Sequence, residues 1–264
     1  MAMSRLFAGV FVSVTLLAVA PPVLAQEGGG GKPEWRLTLG AGAMMAPSYL
    51  GSDDYDVSAV PLIDLRYADR VFLSTRDGLG ANLLRDGNFS AGPVLKYRFG
   101  RDQDDDDALR GLGDIDPAGE AGAFVKYSVA KLSMGAELRQ GFGGHEAVIG
   151  ELWLNRRFDL SERLDFNIGP KLTLASSDFT ETYFGIDAGQ AARSGYRRYD
   201  ADGVFISYGL NAALGYKLTR QVRLGAFAGV EQIGGDAADS PIVDQAGSAT
   251  QARLGLTISY SFGW

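Results

Sequence analysis

The sequence predicts an all-β chain: one transmembrane antiparallel up-and-down β-barrel of about twelve strands, with ten as the fallback count. Three observations carry this. Apolar and polar residues alternate with period two, segment after segment, from residue 35 to the end, and no amphipathic helix pattern competes with them. The connections between these segments alternate between short and long, the pattern of barrels with short turns at one end and long loops at the other. Finally, past the first 25 residues no run of apolar residues is long enough for a membrane-spanning helix, so a membrane location would require a closed barrel.

In chain order, residues 1–25 read as a secretory signal peptide: Arg5 is followed by the uncharged run LFAGVFVSVTLLAVA and a small-residue cleavage site ending at Ala25. Residues 26–34, with glycine at 28 to 31 and Pro33, read as a flexible lead-in, and 35–264 as the barrel. Strands are expected at 35–46, 57–67, 70–76, 78–84, 88–99, 119–129, 131–141, 146–158, 163–176, 203–217, 221–232 and 248–262. The first alternates Trp35, Leu37, Leu39, Ala41 and Ala43 with Arg36, Thr38, Gly40 and Gly42. The last alternates Ala252, Leu254, Leu256, Ile258, Tyr260 and Phe262 with Arg253, Gly255, Thr257, Ser259 and Ser261.

Short turns are expected at 68–69, 85–87, 130, 159–162 and 219–220, and long loops at 47–56, 100–118, 142–145, 177–202 and 233–247. Segment 70–84 is the ambiguous one. Splitting it at Arg76–Asp77 yields an even count, as bacterial single-chain barrels show, and returns both termini to the short-turn end. The longest loop, 177–202, has a short helix expected near 187–193, and loops of this length are usually functional or disordered.

Apolar faces could line a core or meet lipid. About eight strands already enclose an interior that side chains fill, so twelve would leave too much volume for Leu, Val and Ala to pack. The polar faces are rich in Gly, Ser, Thr and Asn, which suit a crowded wet lumen. Trp35, Tyr67, Tyr97, Phe99, Tyr127, Phe158, Tyr216, Tyr260 and Phe262 cluster at strand ends on the apolar face, where interfacial girdles belong. The chain has no cysteine, which excludes disulfides and thiolate sites. Its net charge of −7 argues against nucleic acid as a partner, and the acids gather between strands, as in SDDYD (52–56) and RDQDDDD (101–107).

The predicted lumen face carries Arg36, Arg66, Lys96, Arg98, Lys126, Arg139, Arg157, Lys171, Lys217, Arg223 and Arg253 against Asp64, Glu137, Glu151, Asp165 and Glu231. A cationic excess in a pore favours anions. Alternatively, the charges pair across the lumen and plug it. A barrel well below the size of sixteen-stranded porins predicts a narrow, largely filled lumen.

Five ordered motifs, APSYLGSDDYDVSAVPLIDLRY (46–67), GLGDIDP (111–117), GGHE (143–146), DFTETYFGI (178–186) and DAADSPIV (236–243), together resemble the MipA/OmpV family of outer-membrane proteins over the whole mature chain. Departures are Ala147, Ser177 and the Gly263-Trp264 tail. The motif residues singled out are Gly51, Ser52, Asp53, Gly113, Asp114, Asp116, His145, Glu146, Tyr183, Phe184, Gly185, Asp239, Ser240 and Pro241. The resemblance implies the outer membrane of a Gram-negative bacterium. It also implies a scaffold role like that of the namesake member, which bridges a murein lytic transglycosylase to a bifunctional murein synthase; other relatives are treated as porin-like or adhesion-related.

Catalysis and cofactors find little support. His145, the sole histidine, could serve as a general base, but no G-x-S-x-G or other serine context marks a nucleophile. Glu146 beside it is expected to face the other way in a strand. DQDDDD (102–107) followed by ALRGLGDID lacks the glycine and terminal glutamate of an EF-hand, so no metal site is assigned there. A self-repelling solvated loop is expected instead, with diffuse divalent bridging to lipopolysaccharide phosphates as an alternative. Asp114 and Asp116 are expected to shape a turn. The leading reading is a non-enzymatic outer-membrane scaffold for periplasmic murein enzymes, contacting lipid and lipopolysaccharide. A narrow anion-preferring channel is second, and a barrel hydrolase using His145 third.

Overall fold

The computed structural model describes residues 34–263; the predicted signal peptide, all but the last residue of the lead-in, and Trp264 lie outside the described residues. Thirteen strand segments form one antiparallel sheet: β1 (Trp35–Pro47), β2 (Tyr55–Tyr67), β3 (Val71–Ser74), β4 (Gly78–Ala81), β5 (Leu84–Asp86), β6 (Phe89–Arg98), β7 (Ala118–Val129), β8 (Leu132–Gly143), β9 (Val148–Asp159), β10 (Leu164–Ala175), β11 (Phe205–Lys217), β12 (Val222–Gly234) and β13 (Thr250–Gly263). Apart from β4 and β5, each pairs with its neighbours in sequence, and β1 pairs with β13, with Arg36 opposite Gly263 and Met45 opposite Leu254. Both β4 and β5 pair with β6, Leu79 opposite Leu95 and Leu84 opposite Ala91, so they are two halves of one stave. The sheet is therefore a closed barrel of 12 staves. Between the two halves one extra residue is inserted, a bulge at Asn82-Leu83.

Alternation sets the faces. Along β13, Ala252, Leu254, Leu256, Ile258, Tyr260 and Phe262 are exposed, while Gln251, Arg253, Gly255, Thr257, Ser259 and Ser261 turn inward and are partly or fully covered. The exposed face is the greasy one, as a lipid-facing wall requires. Aromatic pairs ring its short-turn end: Trp35 with Tyr67 at 4.6 Å, Tyr260 with Phe262 at 4.5 Å and Phe158 with Phe166 at 6.2 Å between centroids.

The short turns are built for the twist of the sheet. Ala68 and Asp69 both adopt left-handed conformations, φ 47° and 53°, the type I′ arrangement that matches right-handed strand twist. The turn expected at 85–87 falls at Gly87-Asn88, because Leu84–Asp86 still pairs with β6. The expected strands 70–76 and 78–84 shorten to four residues each. Ser74 Oγ accepts the Asp77 N–H at 2.8 Å and closes the hairpin early. The loop expected at 142–145 shifts to 144–147, since β8 keeps pairing with β7 as far as Gly143 opposite Ala118.

The long loops are not solvated excursions. They carry a 3₁₀ turn (Asp107–Leu109), α1 (Ser177–Phe184), α2 (Ala188–Ser194), α3 (Asp236–Asp239) and α4 (Pro241–Asp244), and their apolar residues share one core. Helix α2 stands where the sequence predicts one. Asp187 caps it, with the Gln190 N–H donating to Asp187 Oδ1 at 2.7 Å and the Asp187 N–H to Gln190 Oε1 at 2.8 Å.

Candidate functional site

The loop core caps the barrel mouth. Leu109, Leu112, Phe179, Tyr183, Phe184, Ile186, Ile242 and Val243 pack onto Ile149, Ala175, Phe205 and Ile233, which point inward from the loop ends of β9 to β12. Phe184 is fully buried and stacks on Phe205 with centroids 5.8 Å apart. Burial of one such side chain is worth ~1.5–3 kcal/mol, so several together hold the loops down against their conformational entropy. Polar ties fix the geometry. Ser240 Oγ donates to the Phe184 carbonyl at 2.6 Å, Tyr49 OH donates toward the Ile242 and Ala246 carbonyls at 2.9 Å, and Gln251 Nε2 donates to the Ser52 carbonyl at 3.1 Å. Gly51 has φ 107°, and a Cβ there would come within 2.6 Å of Val243, so both backbone conformation and space require glycine.

Below the cap, the cationic residues predicted for the lumen all stand at inward positions, but their pairs run along the wall instead of across it. Arg139 on β8 is 1% exposed and meets Glu120 at 2.7 Å, Glu151 at 3.0 Å and also Glu137. Arg98 joins Glu120 at 2.6 Å, Lys96 joins Glu137 at 2.6 Å and Lys171 joins Glu151 at 3.2 Å. This ladder spans β6 to β10, one side of the barrel. Toward the short-turn end, Arg223 reaches over Gly215 of the intervening strand to Asp165 at 2.5 Å, and Arg157 meets Asp159 at 2.8 Å. Arg66 pairs with Asp64 at 2.8 Å, and Arg36 lies 3.9 Å from Asp69. Lys126 and Arg253 form no ion pair among the described residues. Arg253 instead donates to Asn211 Oδ1 at 2.8 Å, and Lys217 Nζ to the Glu162 carbonyl at 3.5 Å.

Several inward residues escape the sequence reading. Glu120, the hub of the ladder, shares its parity on β7 with Lys126, and that parity would have found it. Trp153 and Phe227 also face inward, each lying over a glycine of the adjoining strand, Gly135 and Gly255. Phe72, Val94 and Phe124 make a second inward apolar cluster. The lumen is therefore partly filled by aromatic rings seated on glycines.

His145 is buried under the cap. Its Nε2 lies 3.2 Å from Glu120 Oε1, and its ring packs edge-on to Phe179 at 5.7 Å. Burial, with Arg98 nearby, holds its pKa below the ordinary histidine value, so the ring is neutral at pH 7. Glu146 lies in the loop and is exposed, so its separation from His145 comes from loop geometry and not from strand alternation. Among the described residues no hydroxyl hydrogen-bonds to the imidazole. The dyad lacks a nucleophile.

The remaining motif residues converge on the same cap. Ser52, Tyr183, Phe184, Ser240 and Pro241 are buried in it, Gly185 ends α1, and Gly113 supplies a left-handed turn with φ 77°. Asp114 accepts the Gln103 N–H at 2.9 Å, tying one side of the 100–117 loop to the other, which is a longer reach than the local turn expected of it. Asp53, Asp116 and Asp239 are exposed.

A protein-family model described as MltA-interacting protein MipA matches residues 39–262. This chain belongs to that family. It is 24% identical over 221 residues to the "Putative outer membrane protein YiaT" of Escherichia coli (strain K12), covering 81% of this chain and 87% of that one, and the O157:H7 counterpart matches equally. Among solved structures, the NanC porin aligns with a TM-score of 0.46 at 8% identity over 85% of this chain and 98% of that chain. The KdgM porin aligns with 0.43 at 11% over 85% and 99%. Those likenesses are too loose to carry function.

This MipA-family protein is an outer-membrane β-barrel, so its short turns face the periplasm and its capped loops face outward. The acidic runs lie in the outer loops, and each short turn carries or adjoins an exposed cation, namely Arg70, Arg85, Lys131, Arg163 or Arg220, interspersed with Asp69, Asp86, Asp159 and Glu162.

Proposed function

We propose that this protein is a non-conducting, non-enzymatic scaffold that presents its periplasmic rim to a murein enzyme. The observation that carries the reading is the ring of exposed cations on the five short turns. Arg70, Arg163 and Arg220 form no ion pair among the described residues, and Arg85 and Lys131 reach only Asp69 at 3.5 Å and Asp159 at 3.2 Å. Such a ring attracts an acidic partner surface and speeds encounter, without needing long loops. The description of the family as MltA-interacting supports a murein lytic transglycosylase as that partner. The cap and the absence of a nucleophile at His145 favour an interaction role over transport or hydrolysis.

The test is retention of the transglycosylase by purified full-length barrel in detergent. The native protein is expected to retain it, with binding weakened by salt as screening predicts. A variant with Arg70→Glu, Lys131→Glu, Arg163→Glu and Arg220→Glu is expected to keep its heat-modifiable folded form and lose retention at least about tenfold. Equal retention by both proteins, or none by either, would overturn the reading. A narrow anion channel is the second reading, favoured by Lys126, Lys217 and Arg253, lumen-face cations that form no ion pair among the described residues.

A further inference from the structure

Among the described residues the barrel wall is incomplete toward its outer half. The β3–β4 hairpin is so short that β2 pairs with β3 only over Asp64–Tyr67, and β4 with β6 only at Leu79 and Gly80. The Thr75 N–H donates to the Ile63 carbonyl at 3.0 Å, and above it β2 from Tyr55 to Leu62 has no partner strand on that side among the described residues. Lys96 to Arg98 on β6 likewise have no strand partner toward the gap among the described residues. The loops flanking the two edges meet at the outer rim, where Ser48 Oγ donates to Asp106 Oδ2 at 2.7 Å. Beside the gap, Val57 is 72% and Phe99 80% exposed.

At the outer rim of this gap lies a cavity of about 170 Å³ lined by Ser48, Tyr49, Arg98, Phe99, Arg101 and Tyr183, among others. Three features mark it as a site for an anion. Arg101 forms no ion pair among the described residues; its Nη1 donates to the Tyr183 carbonyl at 2.9 Å, while its buried Nε has no hydrogen-bond partner. The Tyr183 hydroxyl is also buried without a partner, on a residue only 7% exposed. Arg98 adds a second guanidinium on the lining. Neither atom reaches solvent; unsatisfied buried donors are costly, and two of them on residues that line one cavity point to a ligand whose seating draws them onto it. Burial lowers the Arg101 pKa and raises that of Tyr183, so both are donors that gain from an incoming anion. Asp105, the acid on the lining, is exposed and accepts the Asp102 N–H at 3.0 Å.

We propose that this cavity binds the phosphate of an outer-leaflet lipid headgroup, with the acyl chains lying down the open edge of the wall against Val57, Leu95, Tyr97 and Phe99. Guanidinium and phenol donors suit phosphate oxygens. The adjoining apolar side chains select a lipid over a soluble ion.

Native mass spectrometry of the full-length protein in neutral detergent, doped with diphosphoryl lipid A, tests this. One tightly held lipid A per barrel is expected, with its dephosphorylated counterpart at least about tenfold weaker. Arg101→Gln should weaken binding about tenfold, and Tyr183→Phe, which keeps the ring and removes one hydroxyl, a few-fold. Both variants should remain heat-modifiable. Equal binding of the phosphorylated and dephosphorylated lipids would overturn the proposal, as would unchanged binding by the folded Tyr183→Phe variant. Displacement of lipid A by micromolar inorganic phosphate would assign the cavity to the free ion and overturn the lipid assignment.

Discussion

Arg139 carries more of the lumen structure than any other cation. It touches Glu120, Glu137 and Glu151 from a position 1% exposed, and each of those carboxylates is itself well covered. Removing one partner of a buried ion cluster leaves the others desolvated and uncompensated, at a typical cost of ~3–5 kcal/mol. Arg139→Ala is therefore expected to lower the urea midpoint of the folded barrel substantially, by that order of free energy. Arg253→Ala, which gives up only a contact with Asn211 at 2.8 Å, should cost on the order of 1 kcal/mol. Equal shifts for the two variants in urea titrations followed by heat-modifiability would contradict the ladder as the main structural charge cluster. At this scale the sequence is legible wherever strand parity holds. Lys171 and Arg223 are correctly assigned to the inner face because their neighbours alternate. The partners are less legible: Arg223 pairs two strands away by crossing Gly215, and only a side-chain-free residue there makes the crossing possible.

The long strands follow their alternation closely, with ends that move by two residues or fewer. Departures occur where local chemistry overrides period two. The expected strand at 70–76 loses residues because the Ser74 hydroxyl captures the Asp77 N–H, and the stave after it breaks at Asn82-Leu83, a bulge that no alternation pattern announces. The cap is still less visible, since loop residues such as Tyr49, Leu112, Phe184 and Ile242 meet from four separate segments that share no period. Helix α2 is the exception, its capping residues being local. Its residues are not buried, so its helical order depends on its ends more than on packing. Asp187→Ala removes the side-chain half of the box and should cost about 1 kcal/mol locally. Hydrogen–deuterium exchange should accelerate about fivefold at Ala188–Ala191 and stay unchanged in β10 and β11, the strands flanking the loop. Unchanged exchange in the helix would mean that contacts such as Gln190 Nε2 to the Leu112 carbonyl, at 2.6 Å, hold it instead.

The whole molecule separates sealing from charge. Because its ion pairs run along the wall, the ladder by itself does not close the axis of the barrel, and the outer cap supplies the seal. Reconstituted in a planar bilayer, the native protein is expected to be silent at neutral pH. Replacing 178–201 with a short Gly-Ser linker removes Phe179, Tyr183, Phe184 and Ile186 from the cap core while leaving every strand intact. That variant should show conductance steps favouring anions, since Lys126 and Arg253 present positive charge without a carboxylate partner to a path no longer covered. Adding Arg253→Gln and Lys126→Gln should then reduce the anion preference without abolishing the steps. Silence of the loop-shortened but heat-modifiable barrel would instead place the seal deeper, at Trp153, Phe227 and the arginines that cross glycines. The narrow-channel reading would then fall, and the periplasmic cation ring would be left as the working surface of the protein.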